Sequence, residues 1–194
     1  MSYADLGNRI YVSPEEYDNL LLKLCSKIKI SGYEPDSIVT IERAGFNPLR
    51  RLLDIFPAAE YDTLRVVHYK ATGETLDEPK LIKDISKEEI ISGKNVLIVD
   101  ECTDTGKTAE FVLNHIKKYT PKEVRFAVLF HKYSSKYEPN YWVKRTDKWI
   151  YFYYETAEAW RELLRKGYSN QEIIEHFKRV GIKEEEISLL INLI

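Results

Sequence analysis

The sequence predicts an α/β fold, in which a doubly wound, mostly parallel sheet is flanked by helices and followed by a C-terminal helical extension. Three observations support this prediction. Apolar runs at 38–41, 96–99 and 124–130 are typical of strands that are buried on both faces. The first two runs are each followed by a loop and then by an apolar stripe at helical spacing. The chain has 194 residues, enough for one such domain with a substantial core.

Composition and charge narrow the class of protein. A net charge of −2 and a pI near 6.1 do not favour bulk nucleic-acid binding, for which a basic chain would be expected. The two cysteines, Cys25 and Cys102, provide no disulfide framework and indicate a reducing compartment. The first residues lack the apolar segment of a signal peptide, and no apolar run approaches membrane length. We therefore expect a cytoplasmic protein without a membrane segment.

Taken in order, the first helix is predicted to begin at Ser13. Ser13 suits the N-cap, Pro14 suits the first helical position, and two acids fill the first turn. Gly32 ends this helix. Its apolar stripe consists of Leu20, Leu21, Leu24 and Ile28.

A strand–loop–helix unit follows. Residues 38–41 predict a short buried strand, and the loop after it carries Arg43, Ala44 and Gly45. A helix is predicted next from Leu49, Leu52 and Leu53. Ligands bind at the carboxyl ends of strands in open α/β sheets, so this loop lies at a ligand-binding edge.

The next segment predicts a strand and then a loop. Residues 64–69 alternate enough to form a strand, and the polar stretch 70–84 reads as an excursion over the surface. Lys70 suits either a phosphate contact or plain solvation. His68 is expected to have a structural rather than a catalytic role.

The stretch from Val96 to Thr108 contains the strongest candidates for ligand-binding residues. Asp100 and Glu101 directly follow the apolar strand, and a turn at 104–108 leads into a helix predicted over 109–118. The N–H groups and Thr hydroxyls of such a turn, at a helix N-terminus, suit a phosphate. Neighbouring carboxylates can accept hydrogen bonds from a vicinal diol, so together the two features suit a ribose 5-phosphate. A mononucleotide P-loop is disfavoured, because Glu101 stands where that motif requires glycine.

The rest of the chain predicts two more strands and several helices. Residues 124–130 form a buried strand, a polar and aromatic loop follows at 133–141, and 148–155 form a further strand. Residues 157–165 look helical, and a capping box at 169–172 starts another helix. The acidic run Glu184-Glu185-Glu186 argues against a DNA-reading role for this extension.

The order of an apolar strand, two acids, two spacers and Asp-Thr-Gly-Lys-Thr resembles the signature of the type I phosphoribosyltransferases, as it appears in purine salvage members. The resemblance implies a core with a small hood, which we assign to residues 1–155, and leaves 156–194 as an extension packed on the core or on a partner subunit. It implies transfer of the phosphoribosyl group from phosphoribosyl pyrophosphate (PRPP) to a purine. It also implies Mg²⁺ as a cofactor and a homodimer or higher homo-oligomer.

Roles transfer from the resemblance residue by residue. Asp100 and Glu101 would hold the ribose hydroxyls, and Asp104 would also act as general base toward the purine. The 5-phosphate loop would consist of Asp104, Thr105, Gly106, Lys107 and Thr108. Pyrophosphate would be held by Arg43, Ala44, Gly45 and Lys70. Many relatives have two glycines after the basic residue of that loop, and Ala44 departs from this pattern.

The segment from Lys132 to Glu155 resembles the purine-binding end of the 6-oxopurine enzymes. Lys132 would meet the exocyclic oxygen, Trp149 would stack on the base, and the Ile150 backbone would read the ring edge. A cation selects an acceptor over an amino group, and a large π face gains by stacking. Hypoxanthine, guanine or xanthine is therefore the favoured base. Relatives often have Pro-Trp where this chain has Tyr153-Tyr154, which alters the predicted pocket, and Glu155 is a candidate Mg²⁺ ligand.

Several alternatives stay open at the level of sequence. Adenine would be favoured if Lys132 pointed away from the pocket, and an orotate or uracil enzyme is less favoured. A non-catalytic regulator could sense PRPP with the same fold while binding nucleic acid. The C-terminal helices could also serve assembly.

Overall fold

The computed structural model describes residues 8–69 and 75–194. Lys70, predicted to contact pyrophosphate, lies outside the described residues. In chain order the strands and helices are β1 (Arg9–Val12), α1 (Pro14–Ile30), β2 (Ser37–Ile41), α2 (Phe46–Ile55), β3 (Glu60–Tyr69), β4 (Thr75–Lys83), β5 (Asn95–Thr103), α3 (Lys107–Ile116), β6 (Glu123–His131), β7 (Tyr141–Arg145), β8 (Trp149–Phe152), α4 (Thr156–Arg165), α5 (Asn170–Val180) and α6 (Glu184–Leu193). None of the described helices combines the length and apolar character needed to cross a bilayer.

The chain divides into two compact units. The larger unit consists of residues 20–147, and the smaller one combines the residues up to 19 with 148–194. The boundary falls within α1. The predicted division into a core with hood (1–155) and an extension (156–194) stays a prediction.

The larger unit is built on a six-stranded sheet with the order β4-β3-β2-β5-β6-β7. All neighbouring strands are parallel except β4, which runs antiparallel to β3 at one edge. All five residues of β2 are buried, as expected for a strand covered on both faces. On one face, α3 packs Val112 and Ile116 against Val96 and Ile98 of β5. The predicted mostly parallel α/β fold is confirmed.

Three elements differ from their predicted extents. The strand predicted to end at residue 99 continues as β5 to Thr103, because its ladder with β6 includes Asp100 opposite Val128 and Cys102 opposite Phe130. Sheet pairing here overrides the weak strand preference of the acids. The predicted excursion 70–84 contains β4, in which Pro79 is tolerated because β4 is an edge strand. Strand β7 was not predicted from the sequence.

The smaller unit pairs β1 with β8 in parallel and packs α4, α5 and α6 around one apolar core. Trp160, fully buried, meets Phe177 edge-to-face at 5.4 Å between ring centroids. The predicted capping box is present, because Ser169 and Glu172 each accept a hydrogen bond from the other's backbone N–H.

His176, in the core of this unit, makes stability depend on pH. It is fully buried, and neither ring nitrogen has a hydrogen-bond partner within the described residues. Burial, aided by the charges of Arg9 and Arg179, lowers the pKa of His176 to about 4. The unfolded chain binds this proton near pH 6.5, so the fold loses stability as the pH falls from about 6.5 to about 4.

We expect His176 to lower the free energy of unfolding by up to about 3 kcal/mol across this pH range. Urea denaturation at pH 7.5 and at pH 4.5 measures the loss. His176→Phe, which keeps an aromatic ring but cannot be protonated, should show a smaller loss. The same pH dependence in both proteins would contradict the prediction.

Candidate active site

A cavity of about 160 Å³ lies where β5 ends and α3 begins. Its lining contains five residues that the sequence assigned to the site, namely Asp100, Asp104, Thr105, Gly106 and Thr108. Asp100 therefore shares one hollow with the turn at 104–108, called the phosphate turn below. The ribose 5-phosphate prediction requires both Asp100 and Glu101 at this turn, and the cavity lining contains Asp100 only.

Gly106 is the conformational centre of the phosphate turn. Its φ of +88° lies in the left-handed region that glycine adopts without steric cost. A Cβ at this position would lie 2.7 Å from the backbone nitrogen of Tyr137 and 3.0 Å from Ser135 Oγ. Helix α3 begins at the next residue, so its first N–H groups are available to an anion at the cavity.

We expect Gly106→Ala to weaken binding of ribose 5-phosphate by at least about tenfold, because the added methyl group forces the turn away from Tyr137 or out of its left-handed conformation. Isothermal titration calorimetry measures the affinity. Gly93→Ala is a matched control, since Gly93 also has a positive φ (+69°) but no atom lies within 4 Å of a Cβ placed there. Equal effects of the two substitutions on binding would contradict the prediction.

The two adjacent acids lie in different surroundings. Asp100 lines the cavity, and its Oδ1 accepts a hydrogen bond from the Glu101 backbone N–H at 2.9 Å. Glu101 is only 4% exposed and is not part of the cavity lining. Because both residues belong to β5, their side chains alternate between the two faces of the sheet. The cavity therefore brings Asp100, but not Glu101, to the phosphate turn.

The pKa of Cys102, which lines the cavity, depends on the charged residues around it. Burial is the main cause that raises the pKa of its thiol to about 12. The charge of Lys132 opposes this rise, while Asp100 and Asp104 add to it. The thiol is therefore neutral and unsuited to nucleophilic attack at ordinary pH. One cation, Lys132, and three carboxylates, those of Asp100, Asp104 and Glu101, therefore all influence the pKa of this one thiol.

The loop predicted to bind pyrophosphate follows β2. Its Glu42–Arg43 peptide is cis, Arg43 is exposed and Gly45 is buried. A Cβ on Gly45 would lie 2.8 Å from the Ile41 carbonyl oxygen, so only glycine fits. The Glu42 carboxylate pairs with Lys83 Nζ at 2.5 Å, and this contact lowers the pKa of Glu42. The loop is thus tied to β4 through Glu42, and its three predicted ligands, Arg43, Ala44 and Gly45, lie outside the cavity lining.

The residues predicted to bind the purine fall in both units. Lys132, only 7% exposed, follows β6 in the larger unit and donates its backbone N–H to the Thr103 carbonyl at 3.0 Å. Trp149 and Ile150 belong to β8 of the smaller unit, where Trp149 is 47% exposed. Glu155, the candidate Mg²⁺ ligand, precedes α4 in that unit. The contacts of Trp149, Ile150 and Glu155 with ligands stay predictions.

The family model described as the phosphoribosyl transferase domain matches residues 14–159. The chain belongs to this family. The predicted resemblance to the type I phosphoribosyltransferases is thereby confirmed.

Three relatives illustrate the range of proteins to which this chain is similar. Phosphoribosyltransferase domain-containing protein 1 of Xenopus laevis is 37% identical over 98 residues, which cover 48% of this chain and 42% of that protein. The chain therefore spans less than half of that relative's length. The structure of a purine phosphoribosyltransferase from Pyrococcus horikoshii is 32% identical, with a TM-score of 0.66 over 75% of this chain and 92% of that one. A hypothetical protein from Neisseria gonorrhoeae with bound ppGpp is 25% identical, with a TM-score of 0.68 over 82% and 96% of the two chains.

Sequence reasoning missed several residues at the cavity. His68, given only a structural role, lines the cavity from β3, and Thr103 lines it from the end of β5. His131 lies behind Thr103, with its Nδ1 2.8 Å from the Thr103 hydroxyl. The ladder between β5 and β6, which sets Thr103 opposite His131, would have revealed this pair had the full length of β5 been predicted.

The carboxylates at the cavity suit a Mg²⁺ ion that is bound together with the phosphates of a substrate. Within residues 8–69 and 75–194, no group of three or more His, Cys, Asp or Glu side chains is arranged to hold a metal ion. Mg²⁺ commonly keeps several waters and binds through one or two carboxylates together with substrate phosphates. Asp100 provides such a carboxylate, so it fits the ion that the family implies.

Proposed function

We propose that this phosphoribosyltransferase transfers the phosphoribosyl group of PRPP to a purine base, with a 6-oxopurine favoured over adenine, and releases a nucleoside monophosphate and pyrophosphate. One observation carries the proposal: Asp100 shares a cavity with the phosphate turn, whose first residue is Asp104. A ribose 5-phosphate needs both an anion site for its phosphate and nearby hydrogen-bond acceptors for its hydroxyl groups. The purine phosphoribosyltransferase of Pyrococcus horikoshii, at 32% identity, supports the purine assignment.

Binding of the 5-phosphate would orient the reacting carbon. The phosphate turn offers N–H groups at the start of α3, together with the hydroxyls of Thr105 and Thr108. These contacts lie away from the bond that breaks, so their binding energy can fix the position of the sugar for attack. Asp100 would accept hydrogen bonds from the ribose hydroxyls.

Positive charge develops on the ribose as its bond to pyrophosphate breaks. The carboxylates of Asp100 and Asp104 supply negative potential at the cavity and would stabilise that charge. Bound Mg²⁺ would neutralise charge on the pyrophosphate leaving group. The Arg43 side chain and the backbone amides of Ala44 and Gly45 would hold the same group from the loop after β2.

Asp104 is the proposed general base for the purine ring N–H. It is the first residue of the phosphate turn and lies in the cavity lining. A positioned carboxylate can accept the proton as the new bond to the ribose forms. A carboxylate can take up a proton and the amide of Asp104→Asn cannot, so this role is open to a direct test.

Lys132 supports the choice of a 6-oxopurine. A lysine ammonium donates hydrogen bonds and cannot accept them, so it favours a purine with an oxygen at its exocyclic position over one with an amino group. Lys132 is 7% exposed, and its charge opposes the rise in the pKa of Cys102, a cavity residue, which supports a position near the cavity.

A PRPP- or nucleotide-sensing regulator is the second candidate. The Neisseria gonorrhoeae protein with bound ppGpp, at 25% identity and 82% coverage of this chain, favours a purine nucleotide with several phosphates as a ligand of the same fold. For such a regulator, PRPP or ppGpp would bind while no base was converted.

The test is an activity panel with PRPP, Mg²⁺ and one base at a time: hypoxanthine, guanine, xanthine, adenine, uracil or orotate. We expect nucleoside monophosphate and pyrophosphate in equal amounts with the 6-oxopurines. Turnover with adenine alone would overturn the choice of base. Binding of PRPP without turnover of any base would favour the regulator.

The proposal extends to the setting of the enzyme. We propose a role in purine salvage in the cytoplasm, as a homodimer or higher homo-oligomer. Light scattering coupled to size-exclusion chromatography tests the oligomeric state, and a monomeric mass would overturn this part.

A further inference from the structure

A buried histidine connects the end of β5 to the loop between β6 and β7. His131 is 1% exposed, and its Nδ1 lies 2.8 Å from the Thr103 hydroxyl. Its Nε2 lies 3.0 Å from Oε2 of Glu138. Both ring nitrogens are thus satisfied, one by a cavity residue and the other by a residue of the loop at 132–140, called the supporting loop below.

The chemistry of Glu138 fixes the direction of the hydrogen bond at Nε2. Hydrogen bonding from His131 is the main cause that holds the pKa of Glu138 below its usual range, so Glu138 is a carboxylate. A carboxylate only accepts, and Nε2 of His131 therefore carries the proton that it donates. On the other side of the ring, Nδ1 forms a hydrogen bond with the Thr103 hydroxyl.

Glu138 is itself anchored to β7. Arg145 donates to its Oε2 at 2.6 Å, and the Trp142 indole N–H donates to its Oε1 at 3.0 Å. The hydrogen-bonded chain thus runs from Thr103 through His131 and Glu138 to the edge strand. It holds the Thr103 side chain from outside the cavity.

The supporting loop also contacts the phosphate turn directly. The Lys132 backbone N–H donates to the Thr103 carbonyl at 3.0 Å, and the Lys136 N–H donates to the Thr105 carbonyl at 3.1 Å. Tyr137 approaches Gly106 closely enough to exclude a Cβ there. The turn and the loop are therefore in contact from Thr103 to Gly106, and the same loop begins with the proposed base-reading residue Lys132.

A purely structural explanation does not account for the residue type. The five residues before His131 in β6, 126–130, are all apolar and fully buried. An aliphatic side chain at 131 would continue that core without the cost of burying a polar ring. A histidine is favoured at this position when both of its ring nitrogens form hydrogen bonds, as they do with Thr103 and Glu138.

We propose that His131 is a positioning residue that fixes Thr103 and, through it, the phosphate turn. This inference deepens the proposed function and rests on it for the identity of the ligand. The juxtaposition that supports it is one imidazole that contacts both the hydroxyl of Thr103, a cavity-lining residue, and the supporting loop.

Two substitutions separate the two nitrogens of the ring. The side-chain amide nitrogen of His131→Gln can still donate to Glu138, but the acceptor for Thr103 is lost. The amide oxygen of His131→Asn lies near the former Nδ1 and can still accept from Thr103, but the bond to Glu138 is lost. Both variants keep a buried amide of similar polarity, so a difference between them reports position rather than burial.

The readout is calorimetric affinity for ribose 5-phosphate, together with KM for PRPP and kcat. We expect His131→Gln to weaken ribose 5-phosphate binding and raise the PRPP KM by about tenfold, with a smaller change in kcat. His131→Asn should stay within about threefold of the unmodified protein in both. Thr103→Val should match His131→Gln, and the double substitution should add little, because both remove the same hydrogen bond.

A second histidine provides the control. His115 on α3 pairs with Asp84 at 2.7 Å and lies outside the cavity lining. His115→Gln should lower Tm without changing ribose 5-phosphate affinity. Equal affinities of His131→Gln and the unmodified protein, or an equal loss in His131→Asn, would overturn the inference.

The outcomes also separate this inference from the proposed function. If the unmodified protein binds ribose 5-phosphate but transfers no group to any base, the proposed reaction fails, and the binding comparison still decides the role of His131. If the unmodified protein does not bind ribose 5-phosphate, both are overturned.

Discussion

Asp104→Asn should lower kcat by about 10²–10⁴-fold while the affinity for PRPP stays within about threefold. The amide has nearly the shape of the carboxylate and can still line the cavity beside Asp100 and the phosphate turn. It cannot take up the proton that a purine ring nitrogen releases as the new bond forms. Single-turnover rates and PRPP binding, measured on the same preparation, separate the two quantities.

The control for Asp104 is an aspartate with no part in the site. Asp54 lies on α2 with a side chain that is 59% exposed, where it pairs with Arg51 at 3.8 Å. Asp54→Asn should leave kcat and PRPP affinity unchanged, since exposed pairs contribute little. A parallel loss of turnover and PRPP binding in Asp104→Asn would mean that Asp104 binds the substrate and would remove it from the role of base.

Lys132→Ala should reduce kcat/KM for hypoxanthine and guanine by about 30–100-fold and should have a smaller effect on adenine. The loss corresponds to one charge-assisted hydrogen bond to an exocyclic oxygen, left unmade in a site that is largely shielded from water. Lys132 is 7% exposed, so solvent cannot readily replace the missing donor. The measurement is kcat/KM for each base at saturating PRPP.

Two further variants sharpen the test of Lys132. Lys132→Met fills most of the space that alanine would leave, so a shared loss in both variants reflects the charge rather than a cavity. Lys118→Ala removes a lysine of the short helical turn after α3, remote from the cavity lining, and should not change the ratio of 6-oxopurine to adenine turnover. An equal loss for all bases in Lys132→Ala would show that Lys132 supports the fold or PRPP binding instead of reading the base.

The phosphate turn illustrates what local sequence can predict. Asp104, Thr105, Gly106 and Thr108 were assigned to one anion site from their order alone, and they line one cavity. The assignment was possible because a strand, a short turn and a helix start are contiguous in the chain. Gly106 in particular has the positive φ that such a turn requires.

The neighbours of that turn were beyond the reach of local sequence. Asp100 and Glu101 looked equivalent until sheet pairing extended β5 past them and gave their side chains different surroundings. His131 follows an apolar run, and the local sequence predicts no role for it in a ligand site. It acquired a role only when the ladder between β5 and β6 set it opposite Thr103.

The sequence by itself determined the fold family and the chemistry of the phosphate turn, because both depend on short, contiguous patterns of apolar residues, acids and glycine. Only the tertiary structure decided which acid lines the cavity, that His68 and Thr103 join it, and that His131 links it to the supporting loop. These features depend on strand register and on contacts between residues far apart in the chain, such as Thr103 and Glu138 on either side of His131. Register is set by the pairing of whole strands, which no single stretch of sequence contains.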